Sequence, residues 1–311
     1  MRRSVTELIR RGFDSALTNW QVILLRVGEM LLAGAIAIGL VIAILVPVLV
    51  SAGISHIDWK DVDSVQEGLM AFLTANWWLL LWIFVAISIA LLVFVALHSF
   101  VEAGAARIFL DADRRAGDGV VAQRERFAAF SMERWLDGAK RGWWTVFWIY
   151  NIVWGIAGLI LIAPLLVLLA LMLVLGNATA SIVLGCLGLV LALMLAFVIA
   201  IVTNIVCVKA ILDAGAYSLT AGDAVRRSWQ EVRSDVGRHV AIMAILILVS
   251  FAVAGVFSTA SMGFTFHKSM SLALFFAPVR IIIQIANTIV SSFIANWMFG
   301  SFAAMIMERR S

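Results

Sequence analysis

Charge is scarce in this chain. Only 14% of its 311 residues are Asp, Glu, Lys or Arg, whereas 63% are hydrophobic, and the mean hydropathy is +1.05. A soluble domain carries about 25% charged and about 45–50% apolar residues. No soluble protein of this size can bury so much apolar surface, so water is not the main solvent here. The shortage excludes a soluble fold and a disordered chain. It also excludes a single span attached to a large soluble domain, because the apolar residues run from end to end. Cysteine is nearly absent. Cys186 and Cys207, both inside hydrophobic runs, exclude a disulfide scaffold and read as packed thiols rather than a redox pair or metal ligands. His56, His98, His239 and His267 lie in different segments. With no HxxxH, HExxH or Cys–His cluster, neither a metal nor a cofactor is expected. No Walker-type loop, GxSxG elbow or close carboxylate pair sits in a plausible pocket either, so the chain is expected not to be an enzyme and no catalytic residue is assigned.

What is present is a series of long uncharged runs. No charged residue falls between Glu29 and Asp58, Glu67 and Glu102, Arg238 and Lys268, or Arg280 and Glu308. From Gly142 to Val208 there is none for 67 residues, too long for one helix, since about 20 apolar residues cross the hydrocarbon layer. The small, polar stretch Gly176-Asn177-Ala178-Thr179-Ala180-Ser181 supplies a turn within that run. The spacing predicts six helices, at about 29–52, 75–101, 143–175, 179–209, 238–262 and 277–307. The fold class is an all-α polytopic membrane protein, a single membrane domain over 1–311. The runs are continuous and do not alternate as in a lipid-facing barrel.

Orientation follows from Lys and Arg. Twenty lie in the N-terminal segment, the second–third and fourth–fifth connections and the C-terminus, and three (Lys60, Lys268, Arg280) on the other side. Both termini are therefore expected in the cytoplasm, with the chain in a bacterial inner membrane. The N-terminus is not expected to be a cleaved signal, because Asp14, Thr18, Asn19, Arg26 and Glu29 interrupt the apolar core that such a signal needs.

An internal repeat is the most informative pattern. Before the first span, Ile9, Phe13, Ala16 and Trp20 fall on one helical face. Met132, Leu136, Ala139 and Trp143 match them 123 residues later, and Val225, Trp229, Val232 and Val236 match them 216 residues later. The polar positions correspond too: Arg11 with Arg134 and Arg227, Asp14 with Asp137 and Gln230. Ala116-Gly117-Asp118 recurs as Ala221-Gly222-Asp223. The expected unit is an amphipathic interfacial helix followed by a two-span hairpin, used three times: about 4–118, 127–223 and 222–311. Trp20, Trp143 and Trp229 suit the membrane boundary. Each elbow either anchors the angle of the next span or also contacts lipid headgroups. Arg10, Arg11, Arg134, Arg226 and Arg227 are the candidate headgroup contacts.

Thr220-Ala221-Gly222-Asp223-Ala224-Val225-Arg226-Arg227-Ser228-Trp229, followed by a short polar step and a span, resembles an element of bacterial six-span integral membrane proteins. These include the membrane domain attached to some glycerophosphodiester phosphodiesterases and stand-alone proteins of the UPF0259 and DUF975 type. The resemblance implies an all-helical membrane domain and no catalytic residue here. In the enzyme members the chemistry belongs to a separate soluble barrel, for which this chain has no stretch long enough.

Within the spans, Gln284, Asn287 and Ser291 follow i, i+3, i+7, with Asn151 and Asn204 on other spans. They are candidate intramembrane polar lining, or hydrogen-bonding contacts between helices. Glu29 and Glu102, near the boundary, are expected to pair with Arg26 or Arg107. Gly34, Gly39, Gly155, Gly158, Gly185 and Gly188 read as close-packing positions. The segment Glu102–Arg141, with eight basic and seven acidic residues, lacks the cationic stripe of a nucleic-acid binder.

Two functional classes follow. One is a non-catalytic module, accessory to assembly or envelope maintenance, whose partners are membrane lipids and another membrane protein or a second copy. The other is a transporter or channel for lipid or another small amphiphile. A polar cavity lined by Gln284, Asn287 and Asn204 favours transport; a filled bundle with an exposed apolar flank favours the module. The cationic bias makes a direct prediction. Single cysteines placed near Asp61 and Asn177 should be labelled from outside intact cells, and one near Asp118 should not; external labelling at Asp118 would overturn the orientation.

Overall fold

The computed structural model describes residues 2–52, 77–117, 123–175, 178–262 and 276–308. Among them are eight α-helices, a single 3-10 turn and no strand. The helices are α1 (Val5–Thr18), α2 (Gln21–Ala52), α3 (Trp77–Ala116), α4 (Met132–Leu175), α5 (Ala178–Tyr217), α6 (Ala221–Ser234), α7 (Val236–Met262) and α8 (Ala277–Met307); the 3-10 turn is Arg124–Phe127. Six of them, α2, α3, α4, α5, α7 and α8, are long and apolar enough to cross a membrane. The protein is thus an all-helical, multi-pass membrane protein. The acidic stretch around Asp58–Glu67 and the turn at Gly176–Asn177 lie outside the described residues.

The spans begin and end close to where the charge gaps place them, with one systematic difference. Four of the spans continue well past the apolar run. The first starts at Gln21 rather than 29, the second runs to Ala116 rather than 101, the third starts at Met132 rather than 143, and the fourth runs to Tyr217 rather than 209. Glu102, Arg107, Lys209 and Asp213 are therefore helical. Their charges interrupt the hydropathy but not the backbone hydrogen bonding.

The two short helices are capped from their own sequence. Ser4 Oγ accepts from the Glu7 amide at 3.2 Å, the Ser-x-x-Glu pattern of a capping box. Thr220 Oγ1 accepts from the Asp223 amide at 3.3 Å and donates to the Asp223 carboxylate at 2.7 Å. Elbows follow both. Asn19 (φ −104°, ψ 41°) separates α1 from α2, and Asp235 (φ −143°, ψ 50°) separates α6 from α7. At the matching position before the third span stands Gly142, and α4 passes through it without a break. Glycine has no side chain to compete for the backbone groups that Asn and Asp can engage. The bent interfacial helix expected at 127–143 is therefore replaced by the 3-10 turn, an extended step and one continuous helix. The Ala-Gly-Asp echo is not structural either. Ala116-Gly117 closes α3, with Gly117 at φ +68° as a left-handed C-cap, whereas Ala221-Gly222 opens α6.

The chain forms two compact units, Met1–Val27 with Ser99–Ser311, and Gly28–His98. In the second, Glu29 meets His98 at 2.6 Å, and Trp82 donates to the Ala43 carbonyl at 3.4 Å, so its two helical segments run antiparallel. In the first, α8 is the central post. From Phe299 to Met307 every residue is buried, and α1, α5 and α7 pack on it. The core sits at the charged ends of the helices, around Phe109, Phe127, Ile211 and Phe302. The apolar stretches remain largely exposed: Leu159 at 72%, Leu191 at 66%, Leu248 at 68%. Cys207 is buried and Cys186 exposed, so only one thiol is packed as expected.

α1 crosses α8 at the tightest contact. A Cβ on Gly300 would lie 2.8 Å from the Gly12 carbonyl oxygen, so the two backbones touch. Trp297 Nε1 donates to the Ile9 carbonyl at 2.8 Å beside this crossing, and Phe13 packs edge-on against Trp297 at 5.0 Å. The intramembrane glycines do otherwise: a Cβ on Gly34, Gly39, Gly155 or Gly158 meets nothing within 4 Å, although one on Gly188 would strike Leu168. Close packing belongs to the charged end. Gly300→Leu is expected to destabilise the protein by about 1–3 kcal/mol or more, as overpacking does, and to lower the thermal unfolding temperature in detergent. Gly155→Leu should leave it nearly unchanged; equal effects at the two sites would refute this account of the crossing.

Candidate functional site

Burying a charge costs several kcal/mol unless it is paired and hydrogen-bonded. The charged end of the first unit solves this problem repeatedly. Arg3 and Arg11 converge on Asp113 of α3, with Arg3 Nη1 at 3.1 Å and Arg11 Nε at 2.8 Å from its carboxylate. Both guanidiniums also reach helix C-termini: Arg3 donates to the Ala304 carbonyl at 2.7 Å, in the last turn of α8, and Arg11 to the Gly117 carbonyl at 2.8 Å, just past α3. Cations are stabilised there by the helix dipole and the unsatisfied carbonyls. The Arg11 guanidinium also sits 5.2 Å from the Phe127 ring centre.

The second group lies deeper. Arg26 of α2 grips Glu102 of α3 with both terminal nitrogens, Nη2 to Oε2 at 2.9 Å. Its Nε donates to Asn296 Oδ1 on α8 at 2.7 Å. All three residues are buried. The third group joins α5 to α6. Lys209 Nζ lies 3.3 Å from Asp213 and also contacts Glu231. Ser228 donates to Asp213 at 2.9 Å. The fourth joins α7 to α8, where Arg238 donates to Glu308 at 2.8 Å and to the Arg3 carbonyl at 2.9 Å.

Asn19 binds the α1–α2 elbow to the segment before α4. Its Nδ2 donates to the Ser15 and Phe127 carbonyls, both at 2.9 Å. Its Oδ1 accepts from the Ala129 and Phe130 amides at 2.9 and 2.8 Å. Both donors and both acceptor sites of the buried amide are thus used. Sequence reasoning met Asn19 only as a polar interruption; a side chain with two donors and two acceptors at a helix break was the available signal.

The predicted headgroup cations separate. Arg10, Arg134 and Arg226 are exposed. Arg227 is half-buried, bonded to Glu231 at 3.1 Å and stacked 3.7 Å from the Tyr217 ring centre. Arg11 does not fit a headgroup role. It is 4% exposed, because the face of α1 that packs inward is Leu8, Arg11, Gly12, Ser15 and Ala16, which shares only Ala16 with the apolar stripe Ile9–Phe13–Ala16–Trp20. Trp20 and Trp229 of those stripes are exposed and Trp143 is half-buried.

The intramembrane polar residues do not converge as a lining. Asn151, Gln284 and Ser291 are exposed, while Asn204 and Asn287 are half-buried. Asn151 satisfies itself on the Phe147 carbonyl at 2.7 Å. The pocket beside Asn204 is walled by α5 and α7, with Phe197, Ile201, Ile247 and Phe251 among its residues, and neither Gln284 nor Asn287 lines it. The expected partners of the boundary glutamates are half right: Glu102 takes Arg26, but Glu29 takes His98. A cavity of about 490 Å³ opens between α4, α5 and α6, walled by Ile156, Ile160, Val198 and Val202 and ending at Val225, Arg226 and Trp229.

No family model matches the chain, and no curated protein matches it.

Two expectations follow. Arg26→Met should cost about 3–5 kcal/mol by stranding Glu102, and Arg26→Met with Glu102→Leu should recover much of that loss in detergent unfolding; additive losses would show that the pair does not act as a unit. At the α6–α7 elbow, burial pushes the Asp235 carboxyl up, but the hydrogen bond from Arg2 and the charges of Arg2, Arg238 and His239 outweigh it and hold it below its ordinary value. Its contribution is therefore complete above the usual carboxylate range, about 4, and fades as pH falls through the depressed value. Asp235→Asn should flatten the acid limb of the stability profile while lowering the neutral plateau.

Proposed function

We propose that this protein is a non-catalytic module of the bacterial inner membrane, accessory to assembly or envelope maintenance, with both termini in the cytoplasm and lipid headgroups around its charged end. The observation that carries this reading is the use made of the buried charges. Arg3, Arg11, Arg26, Glu29, Glu102, Asp113, Lys209 and Asp213 are each held by an opposite charge or by His98. They tie helices together, and what faces outward along the spans is mostly apolar, aliphatic and aromatic side chains with only a few scattered polar ones such as Asn151 and Gln284.

The orientation rests on the twenty-to-three bias of Lys and Arg. Arg10, Arg134 and Arg226 remain exposed at the charged end, where anionic lipid would meet them. The repeat belongs to the same proposal. The buried positions of α6, Ala224, Ser228 and Val232, stand 216 residues after Leu8, Gly12 and Ala16, and buried Trp135 and Ala139 stand 123 residues after Gly12 and Ala16. The shared register supports three copies of one docking helix, although the second copy has lost its elbow.

A module of this kind uses its apolar flanks on a partner. Photo-crosslinkers at Leu159 and Leu191, both exposed, are expected to capture a membrane protein or a second copy of the chain in intact cells. Adducts with lipid alone at both positions would remove the accessory role.

A further inference from the structure

The geometry points to the cavity between α4, α5 and α6 as a binding groove for one acyl chain of an anionic phospholipid, with the lipid phosphate at Arg226. This rests on the proposal that α6 lies at the membrane surface, and it adds a defined site and occupant to it.

Three observations converge. The walls are aliphatic, Ile156 and Ile160 from α4 facing Val198 and Val202 from α5, and they belong to stretches apolar enough to span a membrane. The groove has a polar end. It is closed by α6, whose Arg226 and Trp229 are both exposed, and the cavity residues include no other cation. Arg226 has no ion-pair partner among the described residues, whereas its neighbour Arg227 is engaged by Glu231. A guanidinium and an indole at the end of an apolar slot form an arrangement suited to a phosphate and ester region above a hydrocarbon chain.

The depth fits the same occupant. Along α5 the lining extends from Val206 to Val198. At 1.5 Å per residue this is about 12 Å, close to the roughly 15 Å of one leaflet of a 30 Å hydrocarbon layer. The occupant therefore comes from the leaflet on the α6 side. The volume of about 490 Å³ lies within the range of about 300–1,000 Å³ of ordinary ligand pockets. Gly222 also borders the groove, and a Cβ there would meet nothing, so backbone is open at the headgroup level. The acidic residue nearby, Asp223, is held by Thr220.

The test uses the full-length protein purified in mild detergent and exchanged with equal amounts of phosphatidylglycerol and phosphatidylcholine, read by native mass spectrometry. The parent is expected to retain phosphatidylglycerol preferentially. Arg226→Gln should reduce that preference about fivefold, the effect of one cation near a lipid surface, while chain occupancy persists. Val198→Trp, at an exposed wall position, should lower retention of both lipids, and Leu189→Trp, exposed on α5 outside the groove, should change neither. Equal retention of the two lipids by the parent, an unchanged preference in Arg226→Gln, or undiminished retention in Val198→Trp would each overturn the site. Lipid retention by purified protein is independent of any protein partner, so its failure is separable from failure of the accessory role. Labelling of a cysteine at position 233 in intact cells checks separately that α6 faces the cytoplasm.

Discussion

A charge at the mouth of an apolar bundle is stable only where something opposite meets it, and the first unit is built around that requirement. Arg26 reaches from α2 to Glu102 on α3 and Asn296 on α8; Lys209 reaches from α5 to Glu231 on α6. Each link joins different helices, because a helix cannot satisfy a buried charge with its own backbone. Breaking one partner leaves a charge that neither water nor lipid can reach, so these links fix which helices are neighbours even if a well-packed apolar substitute would be as stable. The pairing of Arg3 and Arg11 on a single Asp113 extends the logic. The ends of α3 and α8 present carbonyls there, which favour the two positive charges.

The short helices acquire their role from the same constraint. A free amphipathic helix at a membrane surface turns its apolar stripe to lipid and its cations to water. α1 instead presses a face of small and polar residues against α8, and its Gly12 carbonyl stands where a side chain on Gly300 would need to be. That leaves Trp20 outward, where the bilayer boundary accepts it, with Phe13 at the edge of the crossing against Trp297, and makes the helix both a packing element and an anchor. α6 follows the same rule with Ala224, Ser228 and Val232 inward and Trp229 outward. Asn19 then holds the elbow in place by bonding four backbone groups from two segments, a task that no apolar residue could perform.

What the sequence makes legible follows from what each signal measures. An uncharged run of twenty or more residues has one structural solution in lipid, so the six apolar helices are readable from the gaps between charges. Their true ends are not, because Glu102 and Lys209 look like the start of a loop while being neutralised across space by Arg26 and Glu231. Arg11 was misplaced for a related reason. A hydropathy stripe selects Ile9, Phe13, Ala16 and Trp20, yet Leu8, Gly12 and Ser15 form the closer-packing face, and Arg11 lies within about 60° of both Leu8 and Ser15 at 100° per residue. Size, rather than hydropathy, marks that face. The glycines repeat the lesson. Gly155, Gly158 and Gly300 all sit in uncharged runs, yet a Cβ on the first two would meet nothing while Gly300 touches Gly12.

The distribution of packing has a physical origin. Lipid tails are as apolar as leucine, so membrane helices gain little from hiding aliphatic side chains against one another, and association depends on close backbone approach and polar contacts. Both are concentrated at the charged end of the first unit. Farther along, α4 and α5 leave Leu159, Leu191 and their neighbours uncovered, which would be untenable in water and costs nothing in hydrocarbon. A bundle made cohesive at one end and left open along its aliphatic length offers slots between helices that lipid can enter from the side. Where such a slot meets a docking helix carrying a cation that the charge network has not consumed, as at Arg226, the network that stabilises the fold also leaves the position at which an anionic headgroup has something to gain.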